Sequence, residues 1–172
     1  MEKEAFGFGG AVASAWNYCL PVNIVFGRGR PAEIGALSAP LGKKALVVTG
    51  RSSTKKSGLL DRVLSSLADA AVSAVVFDRV QQNPLTTTAE EGAALATAEG
   101  CDLVVAVGGG SVIDCAKGIA FLAVNGGDIS DYIFGRRSSD RALPLVAMPT
   151  TCGTGSEGNG FAVLTNPANG DK

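Results

Sequence analysis

Among the 172 residues of the chain there is no histidine, and that absence narrows its chemistry at once. Imidazole ligation of iron or zinc is impossible within it, and a serine nucleophile finds no histidine base. Cysteine is sparse as well: Cys19, Cys101, Cys115 and Cys152 show neither paired metal spacing nor a disulfide-like pattern. A reducing cytoplasm is the expected compartment, and Met1-Glu2-Lys3-Glu4 lacks the basic start of a secretory signal. No apolar run is long enough to span a bilayer. The net charge is −1 with no basic stripe, so neither nucleic acid nor a membrane surface is an expected partner. A glycine-lysine-serine or glycine-lysine-threonine at Walker spacing is missing too, which disfavours phosphoryl transfer. Charged residues make up only 18%, which points to a face that another surface covers.

What is present suits one compact domain, with 46% hydrophobic residues to build a core. Residues 1–15, with Gly7, Gly9 and Gly10 among small side chains, read as a flexible leader, and order is expected from about Trp16. Asn23 to Phe26 reads as a short strand, and Pro31 opens a helix to about Leu37. Ala45 to Thr49 is a continuous apolar run, the mark of a strand buried on both faces. Leu59, Leu60, Val63, Leu64 and Leu67 recur at helical spacing, and Val72 to Phe77 is the next strand. Thr87-Thr88-Ala89-Glu90 has a capping-box pattern and starts a helix that Gly100 closes. Strands Leu103 to Val107 and Leu143 to Met148 follow, separated by a helix from Ser111 to Val124 and a long irregular excursion, and Phe161 to Thr165 looks like a further strand. Strands alternating with helices predict an α/β fold: a Rossmann-like parallel sheet flanked by helices, preceded by a short N-terminal strand region.

Two loops carry the chemistry. Gly108-Gly109-Gly110-Ser111 stands where a buried strand ends and a helix begins. Glycines let backbone amides approach an anion closely, and the first turn of a helix offers unpaired N–H groups with partial positive charge. Pro149-Thr150-Thr151-Cys152-Gly153-Thr154-Gly155-Ser156-Glu157 follows another buried-looking strand, Leu143 to Met148, and is dense in hydroxyls and glycine. Both loops must lie beyond the carboxyl ends of parallel strands, where open α/β sheets take their ligands. Gly153 to Gly158 matches the dinucleotide fingerprint letter by letter, but no helix pattern follows it, so that match is set aside.

The pattern Gly108-Gly109-Gly110-Ser111-x-x-Asp114-x-x-Lys117, followed by Pro149-Thr150-Thr151-x-Gly153-Thr154-Gly155-Ser156-Glu157, resembles the iron-containing (group III) alcohol dehydrogenases. Weaker matches come in order along the chain, over Pro21 to Gly29, Gly42 to Gly50, Lys56-Ser57-Gly58 and Asn83-Pro84, so that the resemblance covers roughly residues 17–172. It implies an enzyme that transfers hydride between a nicotinamide cofactor and an alcohol or carbonyl compound, acting as a homo-oligomer such as a dimer. Its iron or other divalent metal is held by an aspartate and histidines in a second, helical domain that comes after the segment present here. Residues 16–172 are then the dinucleotide-binding domain, and the C-terminal metal-binding domain is absent from this chain. Alone, the chain is expected to be inactive, with no catalytic and no metal-ligating residue.

By matched position, Gly109, Gly110 and Ser111 are expected at the pyrophosphate, and Asp114 caps or orients the loop. Thr150, Thr151 and Thr154 line the adenine and nicotinamide side, Asn83 lies near the ribose, and Lys117 is either solvated or covers the loop. Acids are absent from the run Gly50-Arg51-Ser52 and onward to Lys56, whereas an NAD-selective site places a carboxylate there for the ribose 2′-hydroxyl. In the family, aspartate at this position tends to accompany NAD and glycine NADP, so NADP(H) is expected at Gly50, Arg51 and Ser52, with NAD the alternative. Cys152 stands where the family more often has alanine, and Gly158-Asn159-Gly160 replaces a valine-threonine run. The rival readings are an enzyme of the dehydroquinate synthase or glycerol dehydrogenase type and a stand-alone nucleotide-binding module without catalysis.

Overall fold

Leu20 and residues 22–172 are described by a computed structural model; the expected leader, Trp16 and Pro21 lie outside these residues. A single turn of 3-10 helix, Arg30–Glu33, leads into α1 (Ile34–Ser38), so the helix expected from Pro31 is present but begins with a tighter turn. The elements that follow are β1 (Lys44–Gly50), α2 (Ser53–Lys56), α3 (Leu59–Asp69), β2 (Ser73–Val80), α4 (Thr86–Ala98), β3 (Leu103–Gly108), α5 (Gly110–Asn125), α6 (Ile129–Ile133) and β4 (Leu145–Pro149). All three strand pairings are parallel, and the order across the sheet is β2-β1-β3-β4. The fold is thus the expected α/β Rossmann-like sheet.

The continuous apolar strands are buried from both sides because successive side chains point to opposite faces. Ala45 and Val47, with Leu103, Val105 and Val107, face Ile34 of α1 and Leu60, Val63 and Leu67 of α3. Leu46, Val48, Val104 and Ala106 face Ala89, Ala93 and Ala96 of α4 and Val112, Ile113, Cys115, Ala116 and Ile119 of α5. The small residues let helices approach closely. A Cβ on Gly92 of α4 would come within 2.3 Å of Ile119 Cδ1, and one on Gly35 of α1 within 1.8 Å of the Ser66 carbonyl oxygen on α3.

Three expectations are corrected. Residues 23–26 form no strand: they pair with none of the described strands, although β2 and β4 each have an open edge, and Ile24 is left 63% and Phe26 95% exposed. The capping box is not used: α4 starts after Leu85, and the Thr86 amide donates to the carbonyl of Thr165 at 3.0 Å, a tertiary partner in place of a side-chain cap. Residues 161–165 form no strand either; the Thr165 amide donates to the Pro84 carbonyl at 2.8 Å, and only the single bridge Leu85 to Thr165 results. Gly100, by contrast, takes the left-handed conformation expected of it, with φ 63° just past the end of α4. The irregular excursion contains α6, whose N-cap Asp128 accepts from the Ser130 amide at 2.7 Å.

Candidate functional site

Strand order reverses between β1 and β3: the chain passes from β1 outward to β2, then returns to place β3 on the other side of β1. Open α/β sheets bind their ligands in the crevice beyond the strand ends at such a switch point. Register puts the critical residues there together. Thr49 pairs with Val107 and Gly108 with Pro149, so Gly50, the 108–111 loop and the 149–157 loop emerge at one end of the sheet.

The two loops are in contact. The Thr150 amide donates to the Gly108 carbonyl at 2.9 Å. A Cβ added to Gly109 would sit 3.1 Å from Thr151 Oγ1, and one added to Gly110 would sit 2.9 Å from Thr154 Cγ2. A Cβ on Gly108 would press on Val112 at 2.6 Å. None of these three glycines has a positive φ, so an unusual turn angle is not what calls for glycine here. Close approach is the requirement: the threonine loop, and Val112 beneath, occupy the space in which side chains would stand. Gly109 is the N-cap of α5, and the amides of Gly110 and Ser111, in the first turn of that 16-residue helix, have no preceding carbonyl in reach. Positive potential of the helix terminus therefore opens onto the crevice.

Gly50 adjoins the same floor. A Cβ there would meet nothing closer than the Val80 carbonyl oxygen at 3.7 Å and Val112 Cγ2 at 4.0 Å, so packing alone does not demand glycine. Beyond it, Arg51 lines a depression of about 500 Å³ with Asp78, Arg79, Gln81, Thr88 and Glu91. Lys55 is ion-paired with Asp78, and the hydrogen bond from Lys55 holds the Asp78 carboxyl below its ordinary value. The stretch after Gly50 is tied down from inside: Thr54 is buried, its hydroxyl 2.7 Å from that of Thr49, which donates to the Val107 carbonyl at 2.9 Å.

Among the expected site residues, the structure thus gathers Gly50, Gly109, Gly110, Ser111, Thr150, Thr151 and Thr154 at the switch point, with Arg51 and Ser52 on the adjoining rim. The Asn83 carboxamide oxygen accepts from Lys172 at 3.3 Å. Asp114 lies a turn further along α5 than the cap: it accepts from Ser156 Oγ at 2.5 Å and from the Val163 amide at 3.2 Å, so it orients the second loop and caps nothing. Of the two alternatives for Lys117, covering the loop holds, because its ammonium donates into residues 156–161. Ser156, Arg79 and Gln81 were missed by sequence reasoning. The i,i+3 spacing of Asp114 and Lys117 was the one signal available for the Ser156 cluster. Among the described residues, no group of three or more acidic or cysteine side chains stands together, and no helix is long and apolar enough to cross a membrane.

A parallel sheet with a glycine loop at its switch point, on the N-terminus of a long helix, defines an α/β nucleotide-binding domain. The particular pairing of that loop with a threonine-rich one has close counterparts: the chain belongs to the iron-containing alcohol dehydrogenases, whose family model matches residues 21–172. It is 39% identical to alcohol dehydrogenase 4 of Schizosaccharomyces pombe over 86% of this chain and 35% of that one. To the NAD-dependent methanol dehydrogenase of Bacillus methanolicus it is 38% identical, over 88% of this chain and 40% of the relative. Among solved structures, NADH-dependent butanol dehydrogenase A of Thermotoga maritima superposes with a TM-score of 0.85 at 37% identity, covering 88% of this chain and 38% of that one. The chain therefore spans less than half the length of these relatives, and what it matches is their N-terminal region.

Proposed function

We propose that this chain is the dinucleotide-binding part of a metal-dependent alcohol dehydrogenase that moves hydride between a nicotinamide cofactor and an alcohol or carbonyl pair. The observation that carries this reading is the contact of the 108–111 and 150–154 loops at the switch point, with the free amides of the first turn of α5 facing the crevice. A dinucleotide fits the residues present: the Gly110 and Ser111 amides and the Ser111 hydroxyl for the pyrophosphate, Thr150, Thr151 and Thr154 along its flank. The bound nicotinamide supplies the hydride carrier. Its seat is what these residues provide, by orienting the cofactor and excluding side chains from the cradle. A metal does not fit this chain, which offers no histidine and no acidic cluster among the described residues. Reduction of a carbonyl therefore needs groups from outside residues 20–172, and the segment alone is expected to bind cofactor without turning over an alcohol.

NADP(H) is the cofactor we assign. Gly50 leaves room at the end of β1 where a carboxylate would otherwise meet the ribose, and Arg51 and Ser52 offer a cation and a hydroxyl to a 2′-phosphate. Fluorescence titration with the two reduced cofactors tests this: NADPH is expected to bind tighter, and Gly50→Asp to reverse the order by setting a carboxylate against the phosphate. Equal or tighter binding of NADH by the unaltered protein ends the assignment. A homo-oligomer and a reducing cytoplasm complete the reading. Exposed Phe26, Phe134 and Phe161 support the first, and the free thiols of Cys101, Cys115 and Cys152 the second.

A further inference from the structure

We propose that Arg79 is a specificity-determining residue of the cofactor site: together with Arg51 it takes the 2′-phosphate of NADP(H), and Glu91 competes with the phosphate for it; this rests on the NADP(H) reading given above. The register of the sheet slips next to Gly50. Val48 pairs with Phe77 but Gly50 with Val80, so two residues of β2, Asp78 and Arg79, stand opposite the single residue Thr49 of β1. An extra residue of this kind re-aims the side chains beside it. Asp78 and Arg79 both line the depression that Arg51 borders from the end of β1.

Arg79 is held over that depression by two neighbours. Its guanidinium lies over the ring of Phe77, 5.8 Å from the centroid, and Phe77 belongs to the core that includes Ala89 and Ala93 of α4. The same helix presents Glu91, whose Oε2 is 3.6 Å from Arg79 Nη1. Ring and carboxylate thus set the arginine beside the Gly50 rim, although it comes from the neighbouring strand.

Four charged side chains line the depression, Arg51, Asp78, Arg79 and Glu91, and their pairing decides what it accepts. Asp78 is taken by Lys55, whose hydrogen bond holds its carboxyl below the ordinary value. Glu91 is engaged by Arg79, but with side chains 58% and 67% exposed this pair is weak and exchanges readily for a stronger one. Arg51 has no acidic partner within ion-pair distance among the described residues. A phosphate dianion therefore meets two guanidiniums, each able to grip its oxygens through paired N–H groups. A ribose hydroxyl gains nothing comparable, because both carboxylates are already engaged with cations. Removing the charge of Glu91 frees Arg79 and lifts a repulsion at the same stroke.

The test is fluorescence titration of the 172-residue chain and its variants with NADPH and with NADH. Arg79→Gln is expected to weaken NADPH binding about tenfold and to leave NADH within about twofold of the unaltered protein. Glu91→Gln is expected to tighten NADPH about threefold, again without moving NADH, and the gain should shrink when Arg79→Gln is added. Both side chains are exposed, so folding is little threatened, and the NADH arm reports directly on an intact site. Unchanged NADPH affinity in Arg79→Gln, or an equal loss for both cofactors, overturns the role of Arg79 while the cofactor reading stands. A Glu91→Gln gain that survives undiminished in the double variant overturns the competition between the two residues. NADH binding as tight as NADPH in the unaltered protein overturns the NADP(H) reading and this inference with it.

Discussion

The thiols separate by environment. Burial, aided by the neighbouring Asp114 charge, pushes the Cys115 thiol up to about 12, and burial also raises Cys101, whereas Cys152 lies exposed on the threonine loop. Thiolate is the reactive form, so a thiol whose value is raised stays protonated and inert until the pH approaches that value or the fold opens. Brief alkylation of the native protein in mildly alkaline buffer, read by peptide mapping, is expected to label Cys152 and to spare Cys101 and Cys115. Labelling of Cys115 at the rate of Cys152 contradicts the packing of α5 on the sheet. Residue identity at the cradle was legible in the sequence for a related reason: three successive glycines are a strong demand. The nature of the demand was not, because only the folded chain shows that Thr151, Thr154 and Val112, rather than a left-handed turn, exclude side chains there.

Among the elements, the buried strands were legible because a run such as Leu-Val-Val-Ala-Val has no polar face to leave in water. Elements whose state depends on a distant partner were not. A hydroxyl-rich start to α4 imitates a self-capped helix, yet Thr165 supplies the acceptor from 79 positions away in sequence. The β-branched and aromatic run Ile24-Val25-Phe26 imitates a strand without saying whether it will pair with an edge. Helix contacts bear their own test. Gly35 of α1 lies against backbone of α3, which cannot yield, so Gly35→Ala is expected to cost about 3 kcal/mol or more and to lower Tm by roughly 10 °C. Gly92→Ala, which meets side chains rather than backbone, the end of Ile119 and the ring of Phe77 at 3.3 Å, should cost about 1–3 kcal/mol. Gly50→Ala, with nothing nearer than 3.7 Å, serves as the control and should stay within about 1 kcal/mol of the wild type. Thermal melts of the three variants decide; an unchanged Tm for Gly35→Ala contradicts the described contact of α1 with α3.

On the scale of the whole molecule, the sheet carries its helices on both faces and leaves the carboxyl ends of its strands for function. Strand order makes the crevice between β1 and β3 the one place at that end where the crossovers part. The cradle, the threonine wall and the Gly50 rim all meet there, although they are separated by up to about a hundred residues in sequence; spacing along the chain announced the loops but not their contact. The central claim is that the first-turn amides of α5 grip a diphosphate. Amide chemical shifts of the nitrogen-15-labelled 172-residue chain, followed during titration with NADPH and with ADP-ribose, test it most directly. Saturable shifts of Gly109, Gly110 and Ser111 with both ligands are predicted, since both carry the diphosphate. Binding that leaves these three amides unmoved would contradict the account.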